Sequence, residues 1–535
     1  MKKKDLFIKI IMVLVFALIL YYFYLPPINY HDFNFWFYLF IIFAFYKGLT
    51  FFKFNIDNIR EFIIKGRVYN LKKKDYSIYI VIGIFLVIVL SNLVVSPLFN
   101  SKSYASRITI DEDRNFIDDV SEVNFNALPL LDKDSSQKLG DRVMGQMPEL
   151  VSQFTVSNLY TQINYNNEIV RVTPLEYASV IKWFTNRNSG VKGYITVNSV
   201  NGEANLIKLD KGMKYMPSAL FNEKLERKLR FNYPTEIFDE ANFEIDNEGN
   251  PYWIVPTVSY KGVGVKKEIT GVIILDPITG KSKKYDVKDV PTWVDHVYKA
   301  DLIIEQVDDW GQYQDGYLNS LFGQKGVVMT TRGYNYTVMN DDVYLYTGIT
   351  SVANDESNLG FILCNMRTKE TNFYTAPGAE EYSAMSSAEG QVQQMKYTAS
   401  FPLLINLNNK PTYLLSLKDA AGLVKMYAFV DVADYQKVAV SDASLGIETA
   451  ANKYLSTIGT EYDSDTLIIK DITISKINMA LISGNSYYYI VDTNGQKYRA
   501  IISINNNILP FLSVNDKINI SYAKEEEVIE ILKIN

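Results

Sequence analysis

The sequence predicts an α+β protein with three N-terminal transmembrane helices, tandem α+β units and a small C-terminal β-barrel. Three observations predict this class: three early apolar runs, a strand–turn–strand pattern that recurs four times, and five strand-like runs near the C-terminal end. The chain has 535 residues, enough for three or four domains of ordinary size. Hydrophobic residues make up 48% and charged residues 21%, which excludes a disordered or collagen-like chain.

The three apolar runs cover residues 6–25, 33–52 and 77–99. Each is close to the roughly 20 residues that a helix needs to cross the hydrocarbon core of a bilayer. In lipid, a helix pairs its backbone polar groups internally. No small-residue cleavage site follows the first run, and residues 21–24 (Tyr-Tyr-Phe-Tyr) are typical of an interfacial aromatic belt. We therefore interpret the first run as an uncleaved span rather than a signal peptide.

Charge predicts the orientation of these spans. Residues 1–76 hold 12 Lys and Arg against 5 Asp and Glu, whereas the remainder holds 42 against 55. Three of these basic residues precede the first span and seven lie between the second and third, whereas the link 26–32 has none. Lys9 and Lys47 lie inside the first and second runs, near the ends that adjoin these basic segments. Because basic segments stay in the cytoplasm, the sequence predicts a multi-pass protein of the cell membrane with a cytoplasmic N-terminus and extracellular C-terminal domains.

The rest of the chain contains a recurrent unit. Four runs of strand-forming residues end at polar turns, namely 193–198, 271–276, 360–365 and 427–431. Upstream hairpins at 162–171, 243–254, 336–346 and 403–414 also resemble one another. Helices are predicted at 175–186 after the cap Thr173-Pro174, at 291–297, at 444–456, and at 134–140 with Asp134 as the cap.

These patterns give the predicted domain boundaries. They are a three-helix region at 1–100 with a cytoplasmic loop at 53–76, a stalk at 101–147, α+β units at 148–230, 231–330, 331–398 and 399–458, and a barrel at 462–535. Five strands are predicted in the barrel, at 467–477, 486–492, 497–504, 517–523 and 528–534, with a two-residue hairpin at Asn494-Gly495. Five strands in so short a region are typical of an OB-like fold. Residues 461–535 hold 7 basic against 10 acidic side chains, which argues against nucleic acid as a partner.

Two resemblances follow from these motifs. The strand, Thr-Gly turn and strand at 271–287 resemble the PepSY-type fold. Stretches at 131–142, 171–177 and 377–385 resemble an uncharacterised family of membrane-anchored envelope proteins of Gram-positive bacteria, over about 77–458. The PepSY resemblance implies that the units restrain or assist a partner protein outside the membrane, whereas the family resemblance implies no activity.

Residues suited to catalysis or metal binding are scarce. The chain has one cysteine, Cys364, and two histidines, His31 and His296. Cys364 lies in an apolar strand and is interpreted as a buried structural thiol, and His296 as a polar surface residue on a helix. The acidic pairs Asp308-Asp309 and Asp341-Asp342 are interpreted as solvated surface. No catalytic residue, metal site or cofactor is assigned.

Two segments are candidate ligand-binding sites. Glu380, Glu381 and Tyr382 open a predicted helix rich in small residues, which faces either a ligand or another domain. The aromatic residues Trp310, Tyr313 and Tyr317 alternate with acidic residues, and they either stack on sugar rings or close the edge of a core. We expect a membrane-anchored binding, scaffolding or regulatory protein whose partners are the lipid bilayer and other envelope proteins or wall polymer. A carboxylate-dependent envelope enzyme and an accessory subunit of a transport or secretion complex are the alternatives.

Overall fold

The computed structural model describes residues 3–51, 77–125, 128–339, 341–352, 354–458, 468–482, 485–505, 507–522 and 527–534. The fold is mixed α+β, as predicted. The predicted cytoplasmic loop 53–76 lies outside the described residues.

The α-helices are numbered in chain order. They are α1 (Lys3–Tyr24), α2 (Phe33–Phe51), α3 (Ser77–Val95), α4 (Pro97–Ala105), α5 (Phe116–Asp119), α6 (Lys133–Gly145), α7 (Pro148–Val151), α8 (Val180–Asn186), α9 (Leu225–Asn232), α10 (Ala300–Tyr313), α11 (Glu381–Gln391) and α12 (Ile447–Thr457).

The strands form five sheets. The first sheet has β2 (Phe154–Val156), β3 (Thr161–Tyr165), β4 (Glu168–Tyr177), β5 (Val191–Asn198) and β6 (Ala204–Met213). The second has β7 (Ile237–Phe238), β8 (Asn242–Ile245), β9 (Pro251–Tyr260), β10 (Lys267–Leu275) and β11 (Ser282–Asp286). The third has β12 (Val328–Thr330), β13 (Asn335–Met339), β14 (Asp342–Ser351), β15 (Asn354–Asn365) and β16 (Thr371–Ala379), with β1 (Ile110–Arg114) parallel to β16.

Two more sheets follow. The fourth contains β17 (Thr398–Ala399), β18 (Leu403–Asn406), β19 (Pro411–Lys418), β20 (Val424–Asp431) and β21 (Val438–Asp442). The fifth contains β22 (Ile468–Ile482), β23 (Asn485–Asp492), β24 (Lys497–Ile501), β25 (Lys517–Tyr522), β26 (Val528–Glu530) and β27 (Lys533–Ile534).

The N-terminal helices are strongly apolar. Both α1 and α2 are long and apolar enough to cross a membrane. Helix α3 and helix α4 meet that criterion only together, and they are bent by 48° at their junction. Pro97 opens α4, where its missing N–H costs nothing, and it ends α3 because a proline ring clashes with a continuing helix.

The first four sheets repeat one topology. In each, two short strands lie end to end and pair with different halves of one long strand, and two further antiparallel strands follow. In the first sheet, β3 pairs with residues 168–172 of β4 and β2 with residues 175–177. Four-stranded meanders repeated along a chain are typical of β-propeller blades. The hairpins predicted at 162–171, 243–254 and 336–346 are therefore confirmed as the first turn of each meander.

The chain divides into two compact units. The first contains residues 1–381 and 403–411, and the second residues 382–402 and 412–535. In the first unit, one apolar core lies between the first and second sheets and another between the second and third. The strands β3, β8 and β14 are in contact, so the three meanders meet at their first hairpins.

Three predictions of local structure were wrong. Residues 173–177 continue β4, and the helix begins only at Val180 with Ser179 as its cap. Pro174 is compatible with that strand because it lies between residues 168–172, which pair with β3, and residues 175–177, which pair with β2, so its missing N–H falls at a gap on that side of the strand. Residues 291–297 form turns rather than a helix, and α6 is capped by Asp132 rather than Asp134.

The C-terminal region is a curled six-stranded sheet with strand order β26-β24-β23-β22-β25-β27. The long strand β22 pairs with β25 through residues 468–473 and with β23 through residues 474–482, which gives the sheet its curl. The hairpin at Asn494-Gly495 is present, but residues 493–495 form a three-residue loop with Gly495 at φ +86°.

Candidate functional site

A buried cluster of acidic residues and a histidine lies where the first three meanders meet. Glu244 is on β8 between the core residues Phe243 and Ile245, so the strand alternation turns it to the other face. Its carboxylate is fully buried and accepts the backbone N–H groups of Asp295 (2.9 Å) and His296 (3.2 Å). These two bonds hold residues 295 and 296 in an irregular loop, in the segment where a helix was predicted.

The neighbouring carboxylate of Asp295 is also buried. It accepts the backbone N–H of Asn164 on β3 at 2.7 Å. Burial raises the pKa of Glu244 to about 7. Burial, followed by the charge of Glu244, raises the pKa of Asp295 well above its ordinary value. Two carboxyl groups so placed resist simultaneous ionisation.

His296 completes the cluster, and the prediction that it is a surface residue was wrong. Its Nε2 lies 2.6 Å from the carbonyl oxygen of Gln162, and because a carbonyl only accepts, Nε2 carries the proton. Burial lowers the pKa of His296 to about 4, so the ring is neutral at pH 7. The cluster thus links the loop after the second meander to β3 of the first and β8 of the second.

The predicted acidic pairs all have contacts within the fold. Asp308 accepts the N–H of Thr330 at 2.8 Å, and Asp309 binds Arg107. Asp342 binds the guanidinium of Arg367 at 2.6 Å. These carboxylates therefore stabilise loops and strand ends, and the prediction of solvated surface pairs was wrong for them.

The predicted segment at Glu380, Glu381 and Tyr382 has a mixed environment. Glu381 is fully buried against the third sheet, where it accepts the hydroxyl of Tyr346 at 3.0 Å. Burial raises the pKa of Glu381. Tyr382 is partly exposed. Glu381 is thus part of the fold of the first unit, while a ligand role for this segment stays a prediction.

The aromatic residues Trp310, Tyr313 and Tyr317 lie on and just after α10. Trp310 packs against the core between the second and third sheets. Tyr313 meets Tyr104 of α4 edge to face, with ring centroids 6.2 Å apart, and stacks on Tyr317 at 6.3 Å. These contacts attach α10 to the helix that follows the third apolar segment. Stacking on a sugar stays a prediction.

The folded body holds the ends of the apolar helices, a feature that the sequence analysis missed. Arg227 Nε donates to the carbonyl oxygen of Tyr22 at 3.1 Å, and Arg230 Nε to that of Leu25 at 3.0 Å. Tyr22 is in the last turn of α1 and Leu25 follows its end, where backbone carbonyls lack a partner from the helix itself. The signal was two arginines three residues apart on one face of a short amphipathic helix, α9.

The other two apolar helices are held by one loop of the second sheet. Asn92 of α3 accepts the N–H of Val263 at 2.8 Å and donates to its carbonyl at 2.9 Å. The carbonyl of His31, just before α2, accepts the N–H of Gly264 at 2.9 Å. The loop between β9 and β10 therefore contacts the C-terminal end of α3 and the N-terminal end of α2.

Large apolar side chains are exposed beside these contacts. Ile181 is 71% exposed and Phe184 52% exposed on α8, and Phe231 on α9 is 50% exposed. The ring of Phe231 lies 6.0 Å from that of Tyr21 on α1, and Phe184 lies 6.4 Å from Phe221. We call Val180, Ile181, Phe184, Phe221 and Phe231 the apolar patch.

A groove of about 780 Å³ lies between the first sheet and the β8–β9 hairpin. Its aromatic wall is formed by Tyr165 and Tyr194, and the hydroxyl of Tyr194 donates to the carbonyl of Gly249 at 2.8 Å. The charged residues of its lining are Glu168, Glu203, Lys208, Asp210, Lys211 and Glu248. Four carboxylates and two ammonium groups make the groove acidic.

No protein-family model matches this chain, and no curated protein matches it. Among solved structures, a GH43_1 enzyme from Xanthomonas citri complexed with xylotriose is similar at 10% identity, over 68% of this chain and 88% of that chain, with a TM-score of 0.17. An exo-β-1,3-galactanase from Phanerochaete chrysosporium is similar at 8% identity, over 71% and 66%, with a TM-score of 0.17. A levansucrase from B. megaterium is similar at 8% identity, over 77% and 97%, with a TM-score of 0.17. Likenesses this weak carry no argument about the fold or activity.

Proposed function

We propose that this chain is a membrane-anchored binding or scaffolding protein of the Gram-positive cell envelope, with three spans and an extracytoplasmic body. The observation that carries the proposal is that the body contacts the C-terminal ends of α1 and α3 and the N-terminal end of α2. Successive spans alternate in direction, so these three ends belong to one side of a membrane. The opposite side then receives the basic segments 1–9 and 53–74, which the positive-inside rule assigns to the cytoplasm.

The apolar patch supports a body that rests on the outer leaflet. Its residues lie beside the aromatic exit of α1, where Tyr22 is covered by the Arg227 guanidinium at 4.1 Å. Exposed apolar residues flanked by the basic residues Lys182, Lys224 and Lys228 suit an anionic lipid interface. On this proposal, α8 and α9 lie in the headgroup region, and the bilayer covers a surface that water would otherwise contact.

The groove of the first sheet is the proposed site of partner binding. Its acidic lining and aromatic wall suit a basic segment of an envelope protein, or a wall polymer that carries amino groups. The PepSY resemblance agrees with restraint or assistance of such a partner, and the curled C-terminal sheet is proposed as an OB-like module. Both of these finer assignments remain proposals.

Photo-crosslinking from the groove tests this function. Tyr165 is replaced by a photoreactive phenylalanine in the full chain, and membranes are irradiated. We expect a discrete crosslinked product that is lost on the charge reversals Glu168→Lys and Asp210→Lys and kept in the matched control Asp289→Lys, which changes an exposed carboxylate outside the groove lining. A product that survives both groove reversals would contradict the proposal.

The two alternatives make different predictions. A carboxylate-dependent enzyme acting on wall polymers requires loss of turnover of wall fragments, with binding retained, when acidic residues are changed to alanine. An accessory subunit of a transport or secretion complex requires co-purification with that complex from membranes. Among the described residues, the contacts of Asp308, Asp309 and Asp342 are structural and give no support to either alternative over a binding protein.

A further inference from the structure

Buried polar atoms without partners are concentrated on one face of the first sheet. Within the part of the chain that the structure describes, the buried atoms that have no hydrogen-bond partner include the Nε2 and Oε1 of Gln162, the Nε of Arg171, the Oγ of Ser199 and the Oδ1 of Asn164. Buried polar atoms are nearly always satisfied by protein, water or ion. An unsatisfied group therefore indicates an occupant.

The strand register brings these atoms together. Gln162 on β3 is directly opposite Arg171 on β4, and Asn164 is opposite Ile169. Ser199 donates its backbone N–H to the carbonyl of Ile169 at 2.8 Å and so continues that row. Residues 169 and 171 point to the same face of a strand, so the four polar side chains occupy two adjacent rows.

Arg171 gives this face an uncompensated positive charge. Its side chain is buried, and its Nη2 donates only to a neutral carbonyl, that of Leu131, at 3.3 Å. Among the residues that the structure describes, no carboxylate oxygen forms an ion pair with it inside 4.0 Å. The negative charges of Asp132 and Asp134 favour the charged form of Arg171, but they lie beyond this ion-pair distance. Burying an unpaired charge is costly, so a counter-ion at this place lowers the free energy of the folded state.

We propose that this face holds a small inorganic anion of the size of chloride, bound by the Nε–H of Arg171, the amide of Gln162 and the hydroxyl of Ser199. Ordered water satisfies the remaining acceptor of Asn164. Gln162 is 2% exposed and Arg171 6% exposed, so both side chains are enclosed and suit a small ion better than an organic ligand. The anion stabilises the junction of the first meander with α6 and takes no part in partner binding.

The proposal is tested with the detergent-solubilised full chain by replacing gluconate with chloride at constant ionic strength. We expect the unfolding temperature of the wild-type protein to rise by several degrees and to saturate, since a ligand that binds only the folded state stabilises it. Arg171→Gln should abolish the response. Arg499→Gln is the matched control, because Arg499 already has a carboxylate partner, Glu530, at 2.7 Å, and this variant should respond as the wild type does.

A second variant covers the case in which Arg171→Gln fails to fold. Gln162→Leu keeps the charge but removes one donor, and it should raise the chloride concentration for half the effect by about tenfold, the value of one hydrogen bond to a charged group. A wild-type protein that does not respond to chloride contains ordered water only, and this result overturns the proposal. A response that is unchanged in the variants of Arg171 and Gln162 also overturns it.

Discussion

The carboxylate of Glu244 accepts the backbone N–H of His296, yet the titrations of these two side chains change the stability of the protein in opposite directions. The pKa of Glu244 is raised from 4.5 to about 7, so its contribution to stability is complete below pH 4.5 and is lost as the pH rises to 7. The pKa of His296 is lowered from 6.5 to about 4, so its contribution is complete above pH 6.5 and is lost as the pH falls to 4. In the native protein the two effects offset each other between about pH 4.5 and 6.5.

Single substitutions should separate these effects. In Glu244→Gln, only His296 and Asp295 of the cluster still titrate, and we expect stability to decrease more steeply on acidification below pH 6.5 than in the wild type. In His296→Gln, whose amide can still donate to the Gln162 carbonyl, we expect stability to decrease from pH 4.5 to 7. The midpoint of urea unfolding at several pH values measures both slopes. Equal slopes in the two variants would contradict the assigned protonation states.

Arg107 is a second residue on which the fold depends. Its side chain is 1% exposed and binds Glu268 at 2.9 Å, Glu305 at 2.6 Å, and Asp309. Arg107→Met removes this partner from the partly buried carboxylates of Glu268 and Asp309, whereas Glu305 is 54% exposed. It should therefore lower the free energy of unfolding by about 3 kcal/mol, the lower end of the range for breaking a buried ion pair. Arg114→Met is the control, because Arg114 is exposed in its pair with Asp111, and it should have little effect. Comparable losses in urea unfolding of the two variants would contradict this account.

Helix α9 shows how a short amphipathic helix holds the C-terminal end of the apolar helix α1. Arg230→Met removes the donor to the carbonyls of Leu25 and Glu236, which lie 3.0 and 2.5 Å from it. We expect faster hydrogen exchange at the amide of Ile28, which donates to the carbonyl of Pro234 at 2.7 Å. The contacts of Leu25 and Ile28 hold the same segment, the one that connects α1 to α2, so loss of one should loosen the other.

Lys228→Gln is the matched control for this experiment. Lys228 is on the same helix, and its ammonium lies over the ring of Tyr215 at 5.3 Å. Exchange at Ile28 should be unchanged in this variant. Equal acceleration of exchange in both variants would mean that α9 is destabilised as a whole. That result would contradict a specific role for the Arg230–Leu25 hydrogen bond in holding the end of α1.

Among the secondary-structure elements, the sequence predicts correctly those that are determined by neighbouring residues in the chain. The hairpin at Asn494-Gly495 and the apolar helices follow from turn chemistry and length. The extent of β4 was missed because Thr173-Pro174 is a good helix start locally, whereas pairing with β2 and β5 keeps the chain extended. Residues 291–297 were misassigned because the carboxylate of Glu244, far away in sequence, determines their conformation.

The candidate site was less predictable than the fold. Its residues come from separate meanders, so their proximity is a tertiary property. A weak signal did exist, since Glu244 and Arg171 are single charged residues within apolar strand runs. A charge at such a position is buried, and it needs partners that only the assembled sheets supply.

The whole molecule is proposed to rest on the outer leaflet through the apolar patch. A polarity-sensitive fluorophore at Ile181→Cys should show blue-shifted emission in lipid nanodiscs and be quenched by lipids labelled near the headgroup. Cys364 is fully buried and should not react. The control is Asn201→Cys, an exposed residue just after β5, whose 8 residues span about 26 Å and begin after α8. Equal emission and quenching at the two positions would contradict the proposed contact between the apolar patch and the outer leaflet.

The most direct test of the account is the side of the membrane on which the body lies. Intact cells that express Asn201→Cys or Lys65→Cys are treated with a membrane-impermeant thiol reagent, before and after lysis. The account predicts that Asn201→Cys is labelled on intact cells and that Lys65→Cys is labelled only after lysis. Labelling of Lys65→Cys on intact cells, with Asn201→Cys protected until lysis, would contradict it.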